Sequence, residues 1–211
     1  MQKPDSLIFD MDGTLWDAVD SYVWIWNEGF RQLNLSKRFT REEMITYMGK
    51  QPDELITECV KNEPGEVDIQ KVYQAVFGLQ QHTMPLLGGK LYAGVREGLE
   101  ALSKKYKLFV LSNCESYGVR QFLEYTKLTH LITDTITFGE TRLPKAFNMQ
   151  LLKTRHQLEN PVYVGDTDSD RLQTEMAGLP FIYVNYGFGT ASRSAIEFSD
   201  FEALTSHFLS L

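Results

Sequence analysis

Two acids, Asp10 and Asp12, follow the apolar run "SLIF" and precede a Gly-Thr turn. In extended backbone, residues i and i+2 point to the same side, so the two carboxylates converge. Converging carboxylates repel, and a buried like-charge pair is costly unless a cation neutralises it. Such a pair is either an ordinary solvated turn or helix cap, or it awaits a cation and does chemistry. Three more polar groups sit at or just beyond the ends of apolar runs. Ser112-Asn113 closes "FVLSN", Lys145 follows "TFGETRLP", and "VGDTDSD" supplies Asp166, Asp168 and Asp170. Carboxylates with no His or Cys beside them suit a hard divalent cation, and magnesium takes a few oxygen ligands while keeping water or phosphate oxygens. A lysine and a small hydroxyl nearby would hold a phosphate. One neutralised carboxylate would then attack phosphorus while its neighbour moves a proton.

These groups meet only if a fold carries them to one place. Short apolar runs at 7–9, 107–112, 135–138, 161–165 and 181–186 read as buried strands of a parallel sheet. Amphipathic patterns at 95–106, 116–128, 145–158 and 169–180 alternate with them, the last ending at Gly178 and Pro180. The class is therefore α/β: a Rossmann-like parallel sheet core flanked by helices, with ligands expected at the carboxyl ends of the strands. The stretch from 17 to 85 has no convincing strand. Val19, Val23, Trp26, Phe30 and Leu33 step by four and three, marking an amphipathic helix whose stripe reads as core. Thr40 and Glu43 predict a capping box on a helix ending at Gly49, and further helices are expected at 52–61 and 66–82. The segment 83–94, with Pro85, Gly88 and Gly89, reads as a linker. The expected organisation is a core of 1–16 and 86–211 with a helical subdomain, 17–85, inserted after the first strand.

Twenty-one bases against 28 acids give a net charge of −7, which argues against non-specific nucleic-acid binding. Cys59 and Cys114 lie 55 residues apart with no metal or redox spacing, and both are expected to be inert thiols in a reducing compartment. No apolar run approaches the length of a membrane span, and the first residues are too short and too acidic for a signal peptide. A cytoplasmic protein is expected. The four histidines form no triad or metal spacing. Asp168 and Ser169 read as helix N-cap residues, Asp17 as the cap of the first inserted helix, with Thr14 as a hinge, and Arg142 as the competitor of Lys145 for an anion.

Taken in order, "DMDGTL", "LSN", a lone lysine and "GDTDSD" resemble the four motifs of the haloacid dehalogenase superfamily, over residues 7–170. The helical insert resembles that superfamily's all-helical (C1-type) cap, and "VNYGFG" at 184–189 is similar to the phosphoglycolate phosphatase branch, beside β-phosphoglucomutase. The resemblance implies a Mg2+-dependent phosphatase acting on a small phosphomonoester, such as 2-phosphoglycolate or a sugar phosphate, through an aspartyl-phosphate. Asp10 would be the nucleophile and Asp12 the general acid and then base, its backbone carbonyl also facing the metal. Ser112, with Asn113 beside it, would bind the phosphoryl group, and Lys145 would neutralise both that group and Asp10. Asp166 would ligate the metal with Asp170 in support. Gly49 and Lys50 fall where this cap type puts a substrate-facing loop; on the residues alone, a C-cap glycine before a solvated lysine is an equal reading.

An acid at Asp12 disfavours a dehalogenase or a phosphonate hydrolase. Tyr22, where the related sugar-phosphate mutases tend to carry a histidine, favours hydrolysis over transfer, while "RLPKAF" lacks the Lys-Pro pair common in the phosphoglycolate branch. The alternatives are a phosphomutase, a nucleotide-directed phosphatase, and a phosphate- or partner-binding protein without turnover. The expected partner is a small phosphorylated metabolite, with no nucleic acid and no membrane, and the expected state is a monomer or homodimer.

Overall fold

A computed structural model describes residues 3–192 and 196–211. Six parallel strands form its central sheet: β1 (Ser6–Phe9), β4 (Lys107–Ser112), β5 (Asp134–Thr137), β6 (Pro161–Gly165), β7 (Phe181–Val184) and β8 (Glu197–Phe198), in the order β5-β4-β1-β6-β7-β8. The first strand is thus central. Its register pairs Phe9 with Val110 of β4 on one side and with Val164 of β6 on the other, so these three strands end level with one another. The chain winds outward from β1 through β4 to β5, then returns to β6 on the opposite flank. That reversal opens a crevice at the carboxyl ends of β1 and β6, the place where such sheets bind ligands.

Strand residues alternate between two packed faces. Leu7, Phe9, Leu108, Val110, Val162 and Val164 face one layer, which contains α5 (Val95–Leu102), α6 (Gly118–Thr126) and α10 (Phe201–Ser210). Ile8, Phe109, Leu111 and Tyr163 face the other, built on α8 (Lys145–Arg155) and the segment after α9 (Asp168–Met176). A strand buried on both faces needs no polar alternation, which is why these runs read as continuous apolar sequence.

Between β1 and β4 the chain leaves the core through β2 (Trp16–Asp17) and returns through β3 (Lys90–Leu91), which pair antiparallel. The helices between them are α1 (Val19–Gln32), α2 (Arg41–Ile45), α3 (Pro52–Val60) and α4 (Ile69–Leu87). In α1 the buried face is Val19, Tyr22, Ile25, Trp26, Gly29 and Phe30; Val23 and Leu33 of the expected stripe are only partly buried. No helix among the described residues is long and apolar enough to cross a membrane.

Several boundaries differ from expectation, each for a physical reason. The segment read as a linker is half helix, because α4 continues through Pro85 to Leu87. A proline leaves the carbonyl four residues earlier without its helical donor; here that carbonyl, of Gln81, accepts instead from Gln121 Nε2 at 2.7 Å. Thr40 caps α2 through the amide of Glu43, but Glu43 turns away to Lys37, 2.7 Å off, rather than closing the box. The α2 helix stops at Ile45, four residues before Gly49. The expected strand at 135–138 ends at Thr137, which caps a further short helix, α7 (Phe138–Thr141), in a reciprocal box with Glu140. The run at 181–186 leaves the sheet after Val184, and Tyr186 donates to the carbonyl of Thr14 at 2.8 Å.

The two long insert helices cross at Gly29, where a β-carbon would lie 2.8 Å from Val76 Cγ2 and 3.3 Å from the Val76 backbone. A larger side chain has to push α4 away from α1. Gly29→Leu should therefore lower stability by about 1–3 kcal/mol, read from the denaturation midpoint; an unchanged midpoint would contradict this contact.

Candidate active site

Asp10 leaves the end of β1, its amide bonded to the Val164 carbonyl at 2.9 Å. Ser112 ends β4, Asp166 follows β6, and Lys145 opens α8. Register therefore brings four residues from distant sequence to one rim. All are buried, none more than 4% exposed. Lys145 Nζ lies 2.9 Å from Asp10 Oδ1 and 2.7 Å from Asp170 Oδ1. One oxygen each of Asp10, Asp166 and Asp170 falls within a 4.8 Å cluster.

Each acid is held differently. Asp170 is the third residue of α9, whose N-cap is Thr167, not Asp168 or Ser169 as the sequence predicts. Thr167 is the residue with extended backbone, so its hydroxyl receives the Asp170 amide while Asp170 Oδ2 accepts from the Thr167 amide and hydroxyl. Asp170 Oδ1 faces Lys145 and the Tyr163 hydroxyl. With both oxygens engaged, Asp170 anchors Lys145. Asp168 instead pairs with Arg171 and accepts from Ser192. Asp166 uses Oδ2 to accept the amides of Phe188 (2.7 Å) and Gly189 (3.4 Å), while its buried Oδ1 has no protein donor. The loop that cradles it requires glycine. A β-carbon on Gly13, which has φ +83°, would sit 2.2 Å from Asp166 Oδ2, and one on Gly187 would sit 2.3 Å from the Gly13 carbonyl oxygen.

Asp12 stands apart from this cluster. Its Oδ1 accepts from Trp16 Nε1 (3.0 Å) and from the Tyr22 hydroxyl (3.2 Å) on α1. Among the remaining expected residues, Asn113 donates through Nδ2 to the Gly49 carbonyl at 2.7 Å, which joins the two across the core–insert boundary. Lys50 borders the same cavity, with its ammonium paired to Glu58. Arg142 is half exposed and turned toward Glu115, so Lys145 alone meets the carboxylates. Asp17 does not cap α1 in the usual way: the N-cap is Ala18, while Asp17 accepts from the Val19 amide and pairs with Arg41. Burial pushes the thiols of Cys59 and Cys114 up to about 12, so both stay protonated and unreactive near neutrality. Sequence reasoning did not assign Trp16, Tyr163 or Thr167, nor the Phe188 and Gly189 amides, to these acids. The two visible signals were a tyrosine inside "PVYVG" and the Gly-Phe-Gly after β7.

A model of the haloacid dehalogenase-like hydrolases matches residues 7–184. The chain belongs to that family. Among curated relatives, the phosphoglycolate phosphatase of Aliivibrio fischeri is 29% identical over 86% of this chain and 84% of its own. This haloacid dehalogenase-like hydrolase is a phosphatase. Its fold matches a predicted phosphoglycolate phosphatase from Haemophilus somnus, with TM-score 0.84, 22% identity and coverage of 98% and 99% of the two chains. It also matches CbbY from Rhodobacter sphaeroides, solved with phosphate, at TM-score 0.83 and 16% identity over 99% and 100%.

The charges of this hydrolase's site ask for a cation. Fully ionised, the three clustered acids and one ammonium leave an excess of two negative charges in a buried place. Burial raises Asp10 well above its ordinary range; Lys145 opposes this, while Asp170 and Asp166 add to it. Burial, then Asp170, pushes Asp166 up to about 7. Burial likewise takes Asp12 up to about 6 against the hydrogen bonds of Tyr22 and Trp16. An all-oxygen donor set, a surplus of two charges and an orphaned Asp166 oxygen fit a divalent cation.

Without a cation these acids hold protons more tightly folded than unfolded, where the ordinary value is 3.8. Stability then falls as pH rises through the window from that value to about 7. In a chelator, the melting temperature should drop as pH is raised from about 5 to about 8, and added magnesium should flatten the slope. A melting temperature that climbs over that range in chelator would contradict the charge balance described.

Proposed function

We propose that the protein is a magnesium-dependent phosphomonoesterase of the cytoplasm that works through an aspartyl-phosphate on Asp10. The observation that carries this reading is the buried ion pair between Lys145 and Asp10 beside an orphaned Asp166 oxygen. A nucleophilic carboxylate must stay charged in a dry site, and these neighbours supply the means. Asp10 and Asp166 would hold Mg2+ through carboxylate oxygens and Asp12 through its main-chain carbonyl, with Asp170 acting through Lys145. The bound ion would offset negative charge on the carboxylates and on the phosphoryl oxygens.

An oxygen of Asp10 attacks phosphorus and the ester P–O bond breaks. Asp12, with its carboxyl shifted toward neutral pH, gives its proton to the departing alcohol oxygen. Water then attacks the phosphoaspartate, Asp12 takes a proton from it, and the bond from phosphorus to Asp10 breaks to release inorganic phosphate. Ser112 lines the cavity on the core side and would donate to the transferring group, while Lys145 compensates its charge. The Tyr22 and Trp16 bonds to Asp12 hold that carboxylate in one direction, so the acid is positioned by the residues that lead into the insert. A tyrosine here cannot relay a proton at neutral pH as a histidine would, because burial raises its hydroxyl still further; this supports hydrolysis over a mutase. The names of the relatives make 2-phosphoglycolate one candidate substrate; a sugar phosphate is the other that the motif resemblance implies.

Asp10→Asn should abolish magnesium-dependent release of phosphate from a generic aryl phosphate, and wild-type turnover by the mutant would refute the nucleophile. Asp12→Asn should slow turnover by about 100-fold or more, with a smaller loss on aryl than on alkyl esters, because a good leaving group needs less protonation.

A further inference from the structure

The carboxylates open into a cavity of about 70 Å3 between the core and the inserted helices. On the insert side its wall is Trp26, Tyr47, Met48, Leu55, Phe77 and Gln80. The rings are already fixed in place. Trp26 meets Phe77 edge-on at 6.0 Å and Phe39 at 5.5 Å, and its neighbour Phe77 lies 4.8 Å from Tyr73.

Charge on this wall is absent or paired. Among the described residues, the cations lining the cavity are Lys145, which faces Asp10 and Asp170, and Lys50, which faces Glu58. The other nearby cations of the insert do not reach the cavity: Lys37 pairs with Glu43, and Arg41 with Asp17 and Asp20. Hydrogen-bonding capacity is also scant. The Tyr47 hydroxyl accepts from Lys37, and the Tyr22 hydroxyl donates to Asp12. Gln80 is 5% exposed, lines the cavity, and its amide meets no hydrogen-bond partner among the described residues.

We infer that the leaving group is an uncharged, largely apolar alcohol, of arylmethyl or short alkyl type, carrying at most one or two hydrogen-bonding groups for Gln80 and the free Asn113 Oδ1. This rests on the phosphatase reading but sets aside both candidate substrates named with it. A carboxylate such as that of glycolate would be stripped of water against a wall with no free cation to receive it. A hexose would bring several hydroxyls to a surface whose unengaged amide groups are that of Gln80 and the Oδ1 of Asn113, leaving the other hydroxyls unpaired. An aromatic or aliphatic body, by contrast, asks this wall for no cation and meets its apolar lining, Met48 and Leu55 among it.

The test compares three esters of primary alcohols, so that the chemistry at phosphorus is matched: benzyl phosphate, 2-phosphoglycolate and glucose 6-phosphate, each with magnesium and the full-length protein, reading released phosphate. The expected kcat/KM for benzyl phosphate is at least about tenfold above either of the others. Equal or better turnover of 2-phosphoglycolate or glucose 6-phosphate would overturn the inference while leaving the phosphatase reading intact. No phosphate from any of the three, nor from a generic aryl phosphate, would remove that reading and the inference with it. Glu58→Gln, which frees the Lys50 ammonium without touching the carboxylates, should narrow the benzyl-to-phosphoglycolate ratio several-fold. An unchanged ratio would overturn the assignment of carboxylate exclusion to the paired lysine.

Discussion

Three carboxylates share one buried ammonium at the carboxyl end of the sheet, and much of the structure answers to that arrangement. Removing a charged partner from such a place leaves an uncompensated charge, which costs far more than a surface pair would. The fold meets this demand from several sides. Lys145 starts α8 just behind the sheet, and Asp170 holds its ammonium from the first turn of α9. Asp170 can do so because Thr167 fixes its other oxygen. Asp166 is seated by two backbone amides and pressed against a glycine turn, so one oxygen remains available. These supports come from four separate segments of chain, and the β4-β1-β6 register brings them together.

The inserted helices answer a different demand. Their aromatic cluster supplies a core of its own, with Trp26, Phe30, Phe39 and Phe77 in mutual ring contact. Two of the rings that stabilise the insert, Trp26 and Phe77, also line the cavity facing the carboxylates. Contacts from the core tie it down over the site, among them Asn113 to the Gly49 carbonyl, Tyr117 to the Phe77 carbonyl, and Asp12 to Tyr22. The last of these matters most here: it also gives the insert a hand in the chemistry, since Asp12 takes its orientation from a residue of α1 and from Trp16 of β2.

The parts of the fold that were legible from sequence are those whose signal is local. β4 and β6 stand at the residues their apolar runs mark, because strands buried on both faces leave an unbroken pattern. The two-residue strands β2, β3 and β8 left none, since pairs that short gain their identity only from a distant partner. Pro85 read as a helix break, and locally it is one; the helix persists because Gln121, on another element, takes the freed carbonyl. Similarly "GDTDSD" offers five capping side chains in a row, and the local pattern pointed to Asp168 and Ser169. The choice fell to Thr167 because Asp170 also had to reach Lys145.

The order and spacing of "DMDGTL", "LSN", Lys145 and "GDTDSD" were enough to place the chain among haloacid dehalogenase-like hydrolases, because each motif ends or follows a strand that its own residues define. What those side chains face was beyond the reach of spacing. Which hydroxyl orients Asp12, which amides hold Asp166, and that Lys50 turns to Glu58 are settled by contacts between residues several to tens of positions apart. Local sequence sets backbone conformation over a few residues. Charge compensation depends on distance in space, and that distance exists only once the sheet has paired and the insert has closed over it.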